Sequence, residues 1–438
     1  MITSEFKNQS TEQLADRRTR LQSRYAEFQS RKLALDMTRG KPAAAQLDLA
    51  AELLRLPGVD DFEDAGGTDC RNYGGIEGLP EVRALFGEFL ELPADQVIIG
   101  GNASLTMMHD AVVRALTHGV PVAGGSTGKA WAAQSSSESG PIKFLCPSPG
   151  YDRHFSICEH FGIEMIPVGM IDGVGPDMDR VEELAAADES IKGIWCVPKY
   201  SNPTGVTYSD EVVDRLAKMK TAAADFRIFW DNAYAVHHLT DTPDRLKNIY
   251  VACVAAGNAD RVLIFGSTSK ITLAGSGLAV FGASPANVAD AKQHLAMQTI
   301  GPDKINQLRH LRFLKDMAGI EAHMRKHAAI IQPKFEAVLN ILDQELGGAG
   351  IATWTRPRGG YFISLDTPAG CAAQVVKLAA DAGVKLTGAG ATFPYRKDPN
   401  DSNIRIAPTL PPPADIATAS EVVAVCVQLS AIQKLLPQ

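Results

Sequence analysis

The stretch FGSTSKITLAGSG, residues 265–277, places Lys270 among small hydroxyl residues and glycines, directly after the apolar run RVLIFG. Desolvating an ammonium at the end of a buried strand is costly, so such a lysine calls for a use. With a lowered pKa, its amine is a candidate nucleophile toward a carbonyl compound. Three more clusters follow short apolar runs in the same way. GGNASL, residues 100–105, offers backbone amides and a helix start to an anion. KYSNPTGV, residues 199–206, carries Asn202. FWDNAYAVHH, residues 229–238, puts Asp231 after a buried aromatic run and Tyr234 three residues later. Taken singly, each has an ordinary explanation: a tight turn for Gly-Gly, turn chemistry for Asn-Pro, a helix cap for Asp231, a surface loop for Lys270.

The elements that must position these residues are legible as a pattern. VIIG, IKFLCP, EMIPVGM, IKGIWCVP, FRIFWD, RVLIFG and GLAVFGAS are short apolar runs, several separated by helical segments such as the one from Asp210. Alternation of this kind predicts a mostly parallel, doubly wound α/β domain, whose ligands bind at the carboxyl ends of its strands. Ahead of it, Ser10 and Gln13 form a candidate capping box for a helix with Leu14, Leu21, Tyr25 and Phe28 on one face. After about residue 310 the pattern changes to one long polar helix (HLRFLKDMAGIEAHMRKHAAIIQPKFEAVL), then RPRGGYFISL, a helix from Cys371 and NIRIAPTL. We expect residues 51–315 to form the large domain, 316–438 a smaller α+β domain, and 1–50 to join the latter.

Gly-Asn-Ala-Ser, Asn-Pro-Thr-Gly, Asp-x-x-Tyr, Ser-x-Ser-Lys and the late arginine of NIRIAP occur in this order across nearly the whole chain. Together they resemble the pyridoxal-phosphate aminotransferases of fold type I. The phrases MTRGKP, CPSPGYDRHF, PKYSNPTG, DNAYAVHHL and GSTSKITLAGSG are similar to the divergent aspartate aminotransferase subgroup called type Ic. The resemblance implies pyridoxal 5′-phosphate as cofactor. Lys270 would be the Schiff-base lysine and the proton-transfer base, Asp231 the partner of the ring nitrogen, with His154 behind it, and Asn202 and Tyr234 donors to the phenolic oxygen. Tyr151 would stack on the ring. Ala103, Ser104, Leu105, Ser267 and Ser269 would take the phosphate. Tyr73 would reach the phosphate of a neighbouring subunit, which implies a homodimer with shared sites. Arg405, Gly40 and Asn202 would meet the substrate carboxylate.

There is a departure from that pattern. The segment ITLAGSGLAV after the lysine carries no basic residue where many relatives have a phosphate-neutralising arginine; Ser276 offers only a hydroxyl. A dicarboxylic substrate needs a second cation, and the candidates are Arg39, Lys41, Lys129, Arg153 and Arg396. The expected reaction is exchange of an amino group between L-aspartate and 2-oxoglutarate. The alternatives are an aminotransferase for aromatic or neutral amino acids, or a lyase or decarboxylase on the same fold. A ligand-sensing regulator would need a DNA-binding domain, and only about 30 residues precede the TRGKP loop.

Composition narrows the class further. A formal charge of -7 speaks against nucleic acid and anionic membranes as partners. Seven cysteines with no CxxC pair fit single thiols in a reducing cytoplasm, with no metal site expected. No apolar run is read as a membrane span, and the polar N-terminus is not a secretory signal. Two motifs are set aside. GGSTGKA, residues 124–130, ends on Ala130 where a phosphate-binding P-loop needs Ser or Thr, and HMRKH, residues 323–327, reads as a solvated basic helix face.

Overall fold

The structure, a computed structural model, describes residues 6–122, 124–135 and 140–436. Its main sheet comprises β1 (Val97–Ile99), β2 (Lys143–Ser148), β3 (Glu164–Ile171), β4 (Gly175–Pro176), β5 (Ile191–Cys196), β6 (Arg227–Asp231), β7 (Val262–Ser267) and β8 (Ala279–Ala283). The spatial order is β1-β8-β7-β6-β5-β2-β3-β4. Neighbours from β7 through β3 are parallel, whereas β8 is antiparallel to both β7 and β1, and β4 is antiparallel to β3. Every residue of β5, β6, β7 and β8 is buried. That is why they read as unbroken apolar runs rather than alternating ones.

Alternate residues of these strands feed two cores, one on each face of the sheet. Ile194, Ile228, Trp230 and Ile264 pack on one side; Trp195, Phe229 and Phe265 pack on the other. The helices that bear on the site are α1 (Thr11–Ser30), α2 (Ser104–His118), α3 (Asp152–His160), α4 (Met317–Leu346), α5 (Ala372–Asp381) and α6 (Pro413–Leu435). A further core gathers α1, the latter half of α4, α5, α6 and a small antiparallel sheet, β9 (Thr353–Trp354), β10 (Ile363–Asp366) and β11 (Asn403–Ile406). This is the α/β architecture of fold type I, a mostly parallel doubly wound sheet beside a smaller α+β unit.

Helix α1 begins with the capping box expected of Ser10 and Gln13, whose reciprocal bonds measure 3.2 and 2.8 Å. Its buried face is Leu14, Leu21 and Phe28, and Arg24 pairs with Glu345 of α4 at 2.8 Å. Leu35–Asp36 pairs in parallel with Val384–Lys385. We propose that the two sets of cores mark a large and a small domain, with the N-terminal segment in the small one. Helix α4 belongs to both: Ile320 and Met324 pack with the large-domain core, Ile331 and Leu342 with the small.

Three expectations need correction. The long polar helix after residue 310 is two helices, Lys304–Leu314 and α4, broken at Lys315 with φ +65°. Asp316 restarts the chain by accepting from the Gly319 amide at 2.7 Å, and a Cβ at Gly319 would lie 1.9 Å from the Leu314 carbonyl oxygen. Second, α6 is long and apolar enough for a membrane span, with a mean hydropathy of 1.5 over its best window. Polar residues such as Ser420, Gln428 and Ser430 punctuate the sequence and disguised the run, and 78% of that window is packed inside the small domain. Third, His323 and His327 are buried, 3.1 Å apart at their Nε2 atoms, with His323 Nε2 2.7 Å from the Ile271 carbonyl oxygen. They lie behind the Lys270 loop rather than on a solvated face.

Leu342 is fully buried where α4 meets the small-domain core. Leu342→Ala is expected to lower stability by about 2–5 kcal/mol, measured as a shift of the urea midpoint at unchanged slope.

Candidate active site

The carboxyl ends of the parallel strands converge. Asp231 ends β6; Ser267 ends β7, and Lys270 follows it by three residues; Asn202 follows β5; Tyr151 and α3 follow β2. Lys270, Tyr234, Asn202, Tyr151, Gly40 and Arg405 line one cavity of about 700 Å³. Arg405 and Gly40 reach it from the small-domain side, Arg405 on β11.

Asp231 is 2% exposed, and its Oδ2 lies 3.0 Å from His154 Nε2. A carboxylate only accepts, so the proton is on Nε2. The imidazole is held flat on Trp195, with ring centroids 4.4 Å apart and planes 12° apart. Asp231 Oδ1, by contrast, is buried with no partner among the described residues. Lys270 Nζ stands 5.0 Å from the Tyr234 ring centroid. Burial lowers the Lys270 pKa, with the charge of Asp231 opposing, while burial, then Tyr151 and Asp231, raises that of Tyr234 well above its ordinary value. The amine is therefore biased toward its nucleophilic form and the phenol toward its donor form. The Lys270 carbonyl oxygen receives Tyr361 Oη at 3.4 Å and lies 3.3 Å from His237 Nε2.

Ala103 caps α2 without a side-chain bond, so the first amides of that helix, including Ser104 and Leu105, have no intrahelical acceptor. Ser269 Oγ donates to the Asn102 carbonyl at 3.1 Å and brings its loop to this helix start. Ser276 faces Asn306 instead, 3.5 Å away. A Cβ at Gly40 would lie 2.6 Å from Phe362 Cζ, so the backbone there is close-packed against the cavity wall. Tyr73 is 82% exposed and lies outside its own chain's cavity. Of the candidate second cations, Arg39, Lys41, Arg153 and Arg396 line the cavity and Lys129 does not.

These groups fit pyridoxal 5′-phosphate. The orphaned Asp231 oxygen suits a protonated ring nitrogen, the open helix start suits a phosphate, and Lys270 suits an aldehyde carbon. A sequence model described as aspartate amino-transferase matches residues 9–438. The chain belongs to this aminotransferase family. It is 53% identical over 417 residues, 95% of each chain, to a putative aminotransferase of Mycolicibacterium smegmatis. It is 48% identical over 413 residues to an aspartate aminotransferase of Corynebacterium glutamicum, covering 94% of this chain and 93% of that one. The crystal structure of an aspartate transaminase from Corynebacterium glutamicum superposes with a TM-score of 0.93 at 46% identity, covering 99% of this chain and all of that one. Enzymes of this family use pyridoxal 5′-phosphate, and the chain is a type I aminotransferase of the divergent aspartate subgroup.

One contact was missed from the sequence. Asp152 lies 3.0 Å from Arg405 Nη1. It stands inside the quoted PGYDRHF, where only Tyr151 and His154 drew a reading, because nothing local says that a residue some 250 positions later faces it. Phe362, whose ring centroid lies 4.9 Å from the Arg405 guanidinium carbon, was equally silent.

Because burial depresses the Lys270 pKa, the folded apoprotein binds its proton less readily than the unfolded chain does. The penalty is full below the folded pKa and fades as pH rises toward the unfolded value. Lys270→Met apoprotein is therefore expected to melt above wild-type apoprotein, with the gap narrowing as pH rises toward 10, followed by calorimetry.

Proposed function

We propose that the protein transfers an amino group from L-aspartate to 2-oxoglutarate, giving oxaloacetate and L-glutamate by alternate half-reactions. The observation that supports this most directly is that Lys270 and Arg405 line one cavity together with Arg39, Lys41, Arg153 and Arg396. The cofactor, when bound, supplies an electron sink for a carbanion at the substrate Cα. Everything else falls to side chains. Lys270 Nζ takes the proton from the substrate Cα, a task its lowered pKa suits. Asp231 Oδ1 holds the ring-nitrogen proton by a charge-assisted bond, and His154 fixes the carboxylate from the other oxygen. Asn202 Oδ1 accepts from Arg405 Nη1 at 3.3 Å, which leaves its Nδ2 free to donate into the cavity that Tyr234 also lines. Arg405 meets the α-carboxylate, and one of Arg39, Lys41, Arg153 or Arg396 meets the distal one.

Homodimerisation with shared sites belongs to the same reading. Its support is an exposed apolar face: Tyr73, Met297 and Ile300 are 82%, 84% and 62% exposed. Lys304, four residues after Ile300, ties the two stretches together by donating from Nζ to the Asn72 and Gly74 carbonyls at 2.6 and 2.7 Å. A cytoplasmic location is supported by the cysteines, all free and buried.

Single-turnover absorbance tests the substrate reading. Aspartate and glutamate are expected to convert the yellow enzyme faster than alanine or tyrosine by about 10- to 150-fold, the worth of one charge-assisted carboxylate contact. Equal rates for alanine would discard the dicarboxylate preference. Lys270→Ala is expected to lose both the lysine-linked absorption band and turnover, and retention of either would remove the lysine from its role.

A further inference from the structure

The guanidinium of Arg405 is already in use. Its Nη1 bonds Asp152 Oδ1 at 3.0 Å and Asn202 Oδ1 at 3.3 Å, and Nη2 reaches Thr387 Oγ1 at 3.4 Å. Nε is buried and has no partner among the described residues. One face is covered by Phe362. Asp152 lines the cavity and its side chain is partly exposed, so the end formed by Nη1 and Nη2 is the one a carboxylate entering the cavity meets. That end is where Asp152 sits, and a single guanidinium end does not grip two carboxylates in bidentate fashion.

We infer that Asp152 is an exchangeable counter-ion for Arg405, which an incoming substrate carboxylate displaces. The inference rests on the reading of Arg405 as the α-carboxylate receptor. Asp152 is suited to leave. Its side chain is 37% exposed against 6% for Arg405, so it turns to water at little cost while the arginine stays dry. It is the first residue of α3, where the helix field favours a negative charge without help from any arginine. Its bond to Arg405 is single-point, whereas a substrate carboxylate in its place gains two parallel bonds. The pair also joins α3 of the large-domain side to β11 of the small, so the exchange replaces a contact between the two cores by one that runs through the substrate. Its consequence is kinetic: by keeping Arg405 partnered between substrates, Asp152 weakens the hold on amino acid and oxo acid alike and lets each product leave.

The test is calorimetric titration of the holoenzyme with succinate and with propionate, neither of which reacts. Asp152→Asn keeps the size and an acceptor oxygen but removes the charge. It is expected to bind both ligands about 10-fold more tightly than wild type, the worth of one charged hydrogen bond. Asp152→Glu, which restores the charge, is expected to return to wild-type affinity, and this rescue separates the charge from any packing effect. In steady state, Asp152→Asn is expected to lower KM for both substrates without raising kcat. Equal or weaker binding by Asp152→Asn would overturn the exchange and leave Asp152 as a brace for Arg405. If Arg405→Met binds both ligands as wild type does, the receptor assignment itself fails, and the inference falls with it.

Discussion

The structure depends on holding a buried carboxylate close behind a lysine that opens onto a cavity. Asp231 and Lys270 come from adjacent parallel strands, β6 and the loop after β7, and neither is compensated by the other through a direct bond. Burying a charge is tolerated where it is hydrogen-bonded and held rigid. For Asp231 the rigidity comes from aromatic packing. Trp195, Phe229, Phe265 and Phe281 follow one another across β5, β6, β7 and β8, with centroids 4.6, 6.0 and 5.5 Å apart. His154 lies on the first of them and bonds the carboxylate. The same rings that make these strands read as uniformly apolar thus fix the imidazole that fixes the acid.

Lys270 is secured differently. Its side chain is left free at the cavity wall, while its peptide is held from behind. Tyr361 from the loop before β10 and His237 from the loop after β6 meet its carbonyl, and His323 on α4 meets the next one. Gln46 ties this set to the N-terminal segment, with its Nε2 2.9 Å from Tyr361 Oη and 3.1 Å from His327 Nδ1. Three regions of the chain therefore agree on where the lysine backbone stands. Burial lowers the pKa of His237, His323 and His327, so these rings act near neutral pH as uncharged hydrogen-bonding groups, which suits a place where another cation would repel the amine.

How much of this was legible beforehand depended on whether the information was local. The α1 cap, the buried strands and the turn from β1 into α2 were all readable, because capping boxes, apolar runs and glycine pairs act within a few residues. Lys270, Asp231, Asn202 and Tyr234 could be picked out because each follows a buried strand of one sheet, whose strand ends share an edge, whereas Arg405, on the other sheet, came only from the family resemblance. Failures had non-local causes. His323 and His327 sit among Arg325, Lys326 and Glu321, which gave a solvated pattern; the buried side of that stretch is decided by the Ile271 carbonyl, some 50 residues earlier. The break at Lys315 follows from a left-handed residue that no glycine announced. Helix α6 hid its apolar length behind scattered polar residues that are themselves buried, such as Gln428, which accepts from Arg17 of α1 at 2.9 Å.

The Asp152–Arg405 pair shows why the two cores must be considered together. The large-domain sheet can gather a base, an acid and an anion-binding helix start by topology alone, since all lie at strand ends. The buried arginine on the same cavity comes from β11, whose register is set by β10 and hence by the packing of α4, α5 and α6. A guanidinium carried on a separate core faces the sheet only while the cores are held together. One of the groups holding them there is a carboxylate on the first turn of α3, next to Tyr151 on the cavity wall and two before the histidine on Asp231. One helix start thus contacts the cavity wall, the small-domain arginine and the buried acid. Three contacts of the site, made at Tyr151, Asp152 and His154, therefore depend on where this one short helix begins.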